Sequence, residues 1–151
     1  MKNSNFYTSG LKYLPSLSNS FNQISSLLDA GTVYSNDDEV QEELRAFKGG
    51  QLKMLPVFET EGMKPLLPLK LHEPDEGCIR PSEDVYCFLA GDPRVNEQTV
   101  LAMVHTLFVR EHNRVAAELG KINPHWDDET IFQVSLLLKL FNMCLINFVI
   151  V

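Results

Sequence analysis

The sequence predicts a mainly α fold with long loops and little strand. Three stretches, residues 21–28, 40–47 and 101–119, carry apolar side chains at three- and four-residue spacing, the repeat of one helical face. Between the second and third, residues 59–81 hold Pro65, Pro68, Pro74 and Pro81 with little periodicity, and read as a long surface loop. With 151 residues the chain has room for at most one modest domain. Hydrophobic residues at 44% and charged residues at 22% are a globular balance rather than a disordered one. A net charge of -7, with no Lys/Arg-rich tract, argues against non-specific binding to nucleic acid or an anionic membrane. There is no recognisable internal repeat.

Residues 1–20 are polar and aperiodic; they read as loop and lack the apolar core, roughly 7–15 residues long, of a signal peptide. Phe21, Ile24, Leu27 and Leu28 then mark one apolar helical face. Ser35 or Asn36 can cap the next helix, with Asp37, Asp38 and Glu39 at its positive end. Val40, Leu44 and Phe47 form its buried stripe, and Gly49-Gly50 ends it. Residues 51–57 read as a short extended piece. Gly91, Asp92 and Pro93 make a turn, Asn96 a candidate N-cap, and Glu97 suits the first turn of the helix that follows. Leu101, Val104, Phe108, Val115 and Leu119 give that helix its apolar face, Gly120 stops it, and Asn123-Pro124 turns the chain. Asp127 looks like the N-cap of a last helix beginning DDETIFQ. Residues 134–151 are nearly all apolar, interrupted by Lys139, Asn142 and Asn147. That tail is short for a membrane span with three polar interruptions, and reads better as a divergent segment.

The order of polar residues says more than the periodicity. GDPRVNEQ at 91–98, HTLFVREHNR at 105–114 and NPHW at 123–126 resemble the signature of the animal haem peroxidases, the group of peroxidasin, lactoperoxidase and the peroxinectins. The resemblance runs from about residue 21 to 133, an internal part of the catalytic domain, and leaves 134–151 as a divergent tail. It implies a haem-dependent peroxidase that reduces hydrogen peroxide at the expense of a reducing donor. It also implies haem b and calcium as cofactors and an extracellular or lumenal place of action. The reading that competes is a truncated, non-catalytic product that binds or regulates a partner.

Peroxide chemistry at a haem iron requires a distal histidine to move a proton, a cation to stabilise the leaving oxyanion and a proximal histidine on the metal. By register Arg94 matches the family's distal arginine, and a guanidinium suits that task because it stays charged and presents fixed donors. Glu97 matches the glutamate that forms an ester with a haem methyl. Gln98 stands where one branch of the family carries a methionine with a further link, which implies the more common two-ester type. FNQISSLLDAGTVYS resembles the family's calcium loop, so Ser25, Leu27 and Asp29 would offer hydroxyl, carbonyl and carboxylate oxygens to a hard cation. Gly31 departs from the family's usual serine there, and Asp29 has a plain alternative as a turn or cap residue. The resemblance also implies a local disulfide between Cys78 and Cys87, which would otherwise be ordinary thiols; Cys144 has no visible partner. None of the four histidines takes the distal or proximal role. His105 and His112 lie seven apart on one helical face and read as structural, His125 sits in the NPHW turn and His72 in the proline loop. The distal histidine would lie before Phe21 and the proximal one beyond Val151.

Overall fold

The computed structural model describes residues 30–56, 59–71, 77–80, 82 and 84–150, the last ten of these by backbone alone. The expected calcium ligands Ser25, Leu27 and Asp29, together with residues 1–20 and His72, lie outside the described residues. Among the described residues the fold is helical, with three isolated antiparallel bridges and no longer strand. Its helices are α1 (Gly31–Tyr34), α2 (Asp38–Leu44), α3 (Thr99–Ile122) and α4 (Asp128–Ile150), with 3-10 turns at Glu59–Glu61 and Pro93–Asn96.

Several boundaries differ from the expectation, each for a local reason. The cap of α2 is Asp37, whose carboxylate accepts from the Glu39 N–H, while the Ser35 hydroxyl accepts from the Asp37 N–H. The helix stops at Leu44 rather than at Gly49-Gly50, because Arg45 turns extended and bridges to Leu52. Phe47 therefore leaves the stripe and is 59% exposed at φ 52°. Asn96 does not cap α3, and Glu97 precedes that helix instead of opening it. Asp92 caps a separate 3-10 turn, and the backbone straightens at Gln98 before the long helix begins. Gly120 does not stop α3 either; Asn123 closes it two residues after Lys121, its N–H donating to Leu119 O at 2.8 Å. Asp127 does cap α4, accepting from the Thr130 N–H at 2.8 Å. That helix continues through residue 134 to Ile150 without a break.

Residues 59–81 are only partly a surface loop. Leu67 is buried, Leu55 and Leu66 exchange both backbone hydrogen bonds, and the 68–70 segment pairs with 87–89. Beside those bridges two asparagines stand in for missing strands. Asn96 donates to Phe88 O and accepts from Phe88 N–H, both at 2.9 Å, and Asn113 does the same to Leu52 at 2.9 and 2.8 Å. Each side-chain amide satisfies one residue's donor and acceptor together, which keeps irregular backbone from being buried unpaired.

The inward face of α3 is the main correction. Its buried residues are His105, Thr106, Val109, His112 and Ala116, whereas Val104 is 40% exposed and Leu101, Phe108, Val115 and Leu119 are half-buried. The helix is rotated so that its two histidines point in. His112 is fully buried, and its Nε2–H donates to Gly50 O while Nδ1 accepts from the Tyr34 hydroxyl, both at 2.8 Å. Tyr34, His112 and Phe132 meet edge to face with centroids 5.3–6.0 Å apart, joining α1, α3 and α4. Arg45 lies 4.2 Å over the Phe132 ring and pairs with Asp128 at 2.6 Å and with Glu129. Gly50 has φ 65°, and a Cβ there would fall 2.6 Å from the Phe132 backbone nitrogen, so glycine is required by both conformation and space.

The apolar tail packs on the same core. Phe132, Ser135 and Lys139 of α4 are buried with Leu136 and Leu140 partly so, while Leu137 and Leu138 face outward. Ser135 returns its hydroxyl to Ile131 O at 2.7 Å, and Lys139 donates to Phe108 O with its ammonium 4.8 Å over the Phe108 ring. Among the described residues no helix is long and apolar enough to cross a membrane.

Candidate functional site

The 91–98 motif and the first turns of α3 enclose a cleft of about 290 Å³, near the lower end of small-molecule sites. Val33, Leu101, Val104 and Phe108 supply its apolar lining, and Asp92, Arg94, Glu97 and His105 its polar groups. Gly91 makes this arrangement possible. A Cβ on it would lie 2.4 Å from Ser35 N and 2.7 Å from the Val33 carbonyl, so only glycine lets the motif lie against the end of α1.

Within the motif the side chains are fixed in sequence. The Asp92 carboxylate caps the 3-10 turn by accepting the Arg94 backbone N–H at 2.9 Å. It also accepts Arg94 Nε–H at 3.0 Å on the same oxygen and Nη2–H at 2.7 Å on the other. That fork uses one edge of the guanidinium, leaving Nη1 with no partner among the described residues. The hydrogen bonds from Arg94 hold the Asp92 carboxyl below the usual carboxylate range against the opposing effect of burial, and the pairing keeps Arg94 charged. The Arg94 side chain is 54% exposed against 10% for Asp92, so an exposed cation is held by a largely buried anion.

Glu97 lies on the same cleft, with Gly77 pressed against its stem: a Cβ on Gly77 would be 2.7 Å from Glu97 Cγ. The next residue, Cys78, is bridged to Cys87 with Cα atoms 6.0 Å apart, within the usual disulfide range. The bridge therefore anchors the loop that borders Glu97. His105 is 4% exposed; its Nδ1–H donates to Leu101 O at 2.8 Å, and its buried Nε2 has no hydrogen-bond partner. Such a nitrogen on a cleft wall is unusual, because a buried polar atom left unpaired costs about 1–3 kcal/mol.

The remaining motif residues are scaffold. Arg110 donates to Pro65 O at 2.8 Å and Lys64 O at 3.0 Å, Glu111 pairs with Arg114 at 2.7 Å, and Asn113 holds Leu52. A larger open groove of about 890 Å³ runs beside them between α3 and residues 51–56, and none of residues 91–98 line it. Three cations on its lining are already engaged: Arg110 and Lys53 with carbonyls, and Arg114 with Glu111. Arg94 and Glu97, singled out in the sequence, line this cleft; Asp92 and His105, read there only as a turn residue and a structural histidine, line it too. The available signal was a capping residue two positions before an arginine, which the Asp92-Pro93-Arg94 order contains. Among the described residues no group of three or more His, Cys, Asp or Glu could hold a metal ion. A Cβ on Gly31 would fall 2.4 Å from Asn36 Oδ1, the end of a side chain that can turn away.

The cleft thus combines hydrophobic walls, a guanidinium held along one edge and a carboxylate at Glu97. A family model described as animal haem peroxidase matches residues 3–138, reaching past 21–133 in both directions. The mouse peroxidasin homolog is 42% identical over 113 residues, covering 74% of this chain and 8% of that protein. Mouse lactoperoxidase is 43% identical over 115 residues, covering 74% and 16%. Chorion peroxidase of Aedes aegypti is 47% identical over 110 residues, covering 73% and 13%. The chain thus spans under a fifth of the length of these relatives. Peroxidase A from Dictyostelium discoideum superposes with a TM-score of 0.68 at 30% identity, over 79% of this chain and 23% of that one.

Proposed function

The chain belongs to the animal haem peroxidase family, and from that premise we propose that it forms one wall of the peroxide-reacting side of a haem peroxidase. The reaction is reduction of hydrogen peroxide with oxidation of a reducing donor. Haem b, when bound, supplies the redox chemistry. Arg94 carries the proposal: a charged donor fixed on one edge and free on the other, facing an apolar cleft. Its free N–H groups stabilise negative charge that develops on the departing oxygen. Glu97 would hold the haem through an ester of the kind its family forms, with the bridged loop at Gly77-Cys78 packed against its stem. Ser25, Leu27 and Asp29 contribute a partial calcium set. An extracellular or lumenal setting agrees with the Cys78–Cys87 bridge, since disulfides persist in oxidising compartments.

The test is substitution in a protein carrying this segment within a complete haem-binding domain. Arg94→Leu lowers the rate of reaction with peroxide by about 10²–10³-fold, the scale for losing one transition-state donor, and leaves haem content unchanged. Glu97→Gln releases haem more readily under denaturing extraction. A peroxide rate indifferent to Arg94→Leu removes Arg94 from the mechanism.

A further inference from the structure

Asp92 does two things with one carboxylate. It caps the 3-10 turn Pro93–Asn96 through Oδ1, and it takes the Nε–Nη2 edge of Arg94 in a fork at 3.0 and 2.7 Å. An arginine more than half exposed has many rotamers, and ordering it during a reaction would cost side-chain entropy. The fork removes that freedom beforehand. It has an opposing effect as well: a full negative charge beside the guanidinium weakens its hold on any oxyanion. The buried His105 flanks the same carboxylate and lowers its pKa, though less than Arg94 does. Geometry and charge therefore make opposite predictions for the loss of the Asp92 charge, and one variant separates them.

We propose that Asp92 is the positioning residue of Arg94, aiming the free Nη1 edge of the guanidinium into the cleft between Glu97 and His105. This deepens the reading of Arg94 given above and rests on it. Asp92→Asn is the informative change, because asparagine keeps the size and can still cap the 3-10 turn while giving up the charge and one acceptor edge. In the complete haem-loaded domain, Asp92→Asn slows the reaction with peroxide by about 10–100-fold, the scale of a misplaced group, with haem content unchanged.

The second readout needs neither haem nor turnover. In wild type the Arg94 Nε–H resonance exchanges slowly with water, and Asp92→Asn speeds that exchange at least tenfold. A peroxide rate that is unchanged or rises in Asp92→Asn overturns the proposal, since Asp92 would then only cap the turn or damp the charge. So does a wild-type Nε–H that exchanges as fast as that of a free arginine, whether or not the variant folds. Arg94→Leu keeps the two readings apart. A rate lost in Arg94→Leu but kept in Asp92→Asn removes Asp92 alone, and a rate kept in both removes Arg94 with it.

Discussion

His112 shows how much of this structure hangs on single side chains. Both ring nitrogens are used, one by the Tyr34 hydroxyl and one by the Gly50 carbonyl, and the ring is fully buried. Burial pushes its pKa down to about 4 and pushes the Tyr34 phenol up, so the pair is neutral across the physiological range. The unfolded chain takes a proton on this histidine below about 6.5, while the folded chain resists until about 4. Stability from His112 is therefore complete above pH 6.5 and is lost as pH falls from 6.5 towards 4, by roughly 3 kcal/mol in all. Denaturant unfolding measured at intervals across that window should show the slope, and His112→Phe should flatten it. An equal slope in the variant would mean that another group titrates there.

At the scale of elements, the contact between α3 and α4 contains one misfit. Lys139 is buried against Phe108, where its ammonium finds a carbonyl and a ring face but, among the described residues, no carboxylate within bonding distance. Desolvation pushes its pKa down to about 8, the mark of a charge held where it is poorly solvated. Lys139→Met keeps the long stem and removes the charge, so it should stabilise the fold by about 1–3 kcal/mol at neutral pH. The wild-type chain should also gain stability as pH rises from 8 towards 10.5, where the unfolded chain still holds the proton, and the variant should not. A lower unfolding midpoint for Lys139→Met would show that the Phe108 contacts outweigh the desolvation.

For the whole molecule, the outward face of α3 is decisive. Val100, Met103, Val104 and Leu107 recur at three- and four-residue spacing and are 40–66% exposed, with Leu137 and Leu138 outward on α4. A stripe of this kind favours association. On the reading proposed above, Arg94 and Glu97 act with groups that none of this chain's four histidines supplies. The purified chain should self-associate with rising concentration, bind haem weakly and show no turnover above free haem. Titration with haem and hydrogen peroxide in the presence of a phenolic donor measures this. A sharp Soret band with saturable, Arg94-dependent turnover would count against it.

Local rules made several features legible in the sequence itself. The existence of α3, the start of α4 at its Asp127 cap and the turn at 91–93 follow from spacing and capping chemistry, which act within a few residues, while the ends of α3 and the length of α4 do not. The Cys78–Cys87 pairing was implied by the family resemblance, and Arg94 and Glu97 stood out by their place in the 91–98 motif. Hydrophobic spacing did not reveal which face of α3 turns inward. It counts which residues lose by exposure, but cannot see that His112 finds a hydroxyl 78 positions away and a carbonyl 62 positions away. Only the tertiary structure supplies those partners, and with them a polar residue becomes cheaper to bury than Val104. The same holds at the site: the arginine is legible in the motif, while its direction depends on Asp92 in three dimensions, because a hydrogen-bond fork is a matter of geometry rather than residue type.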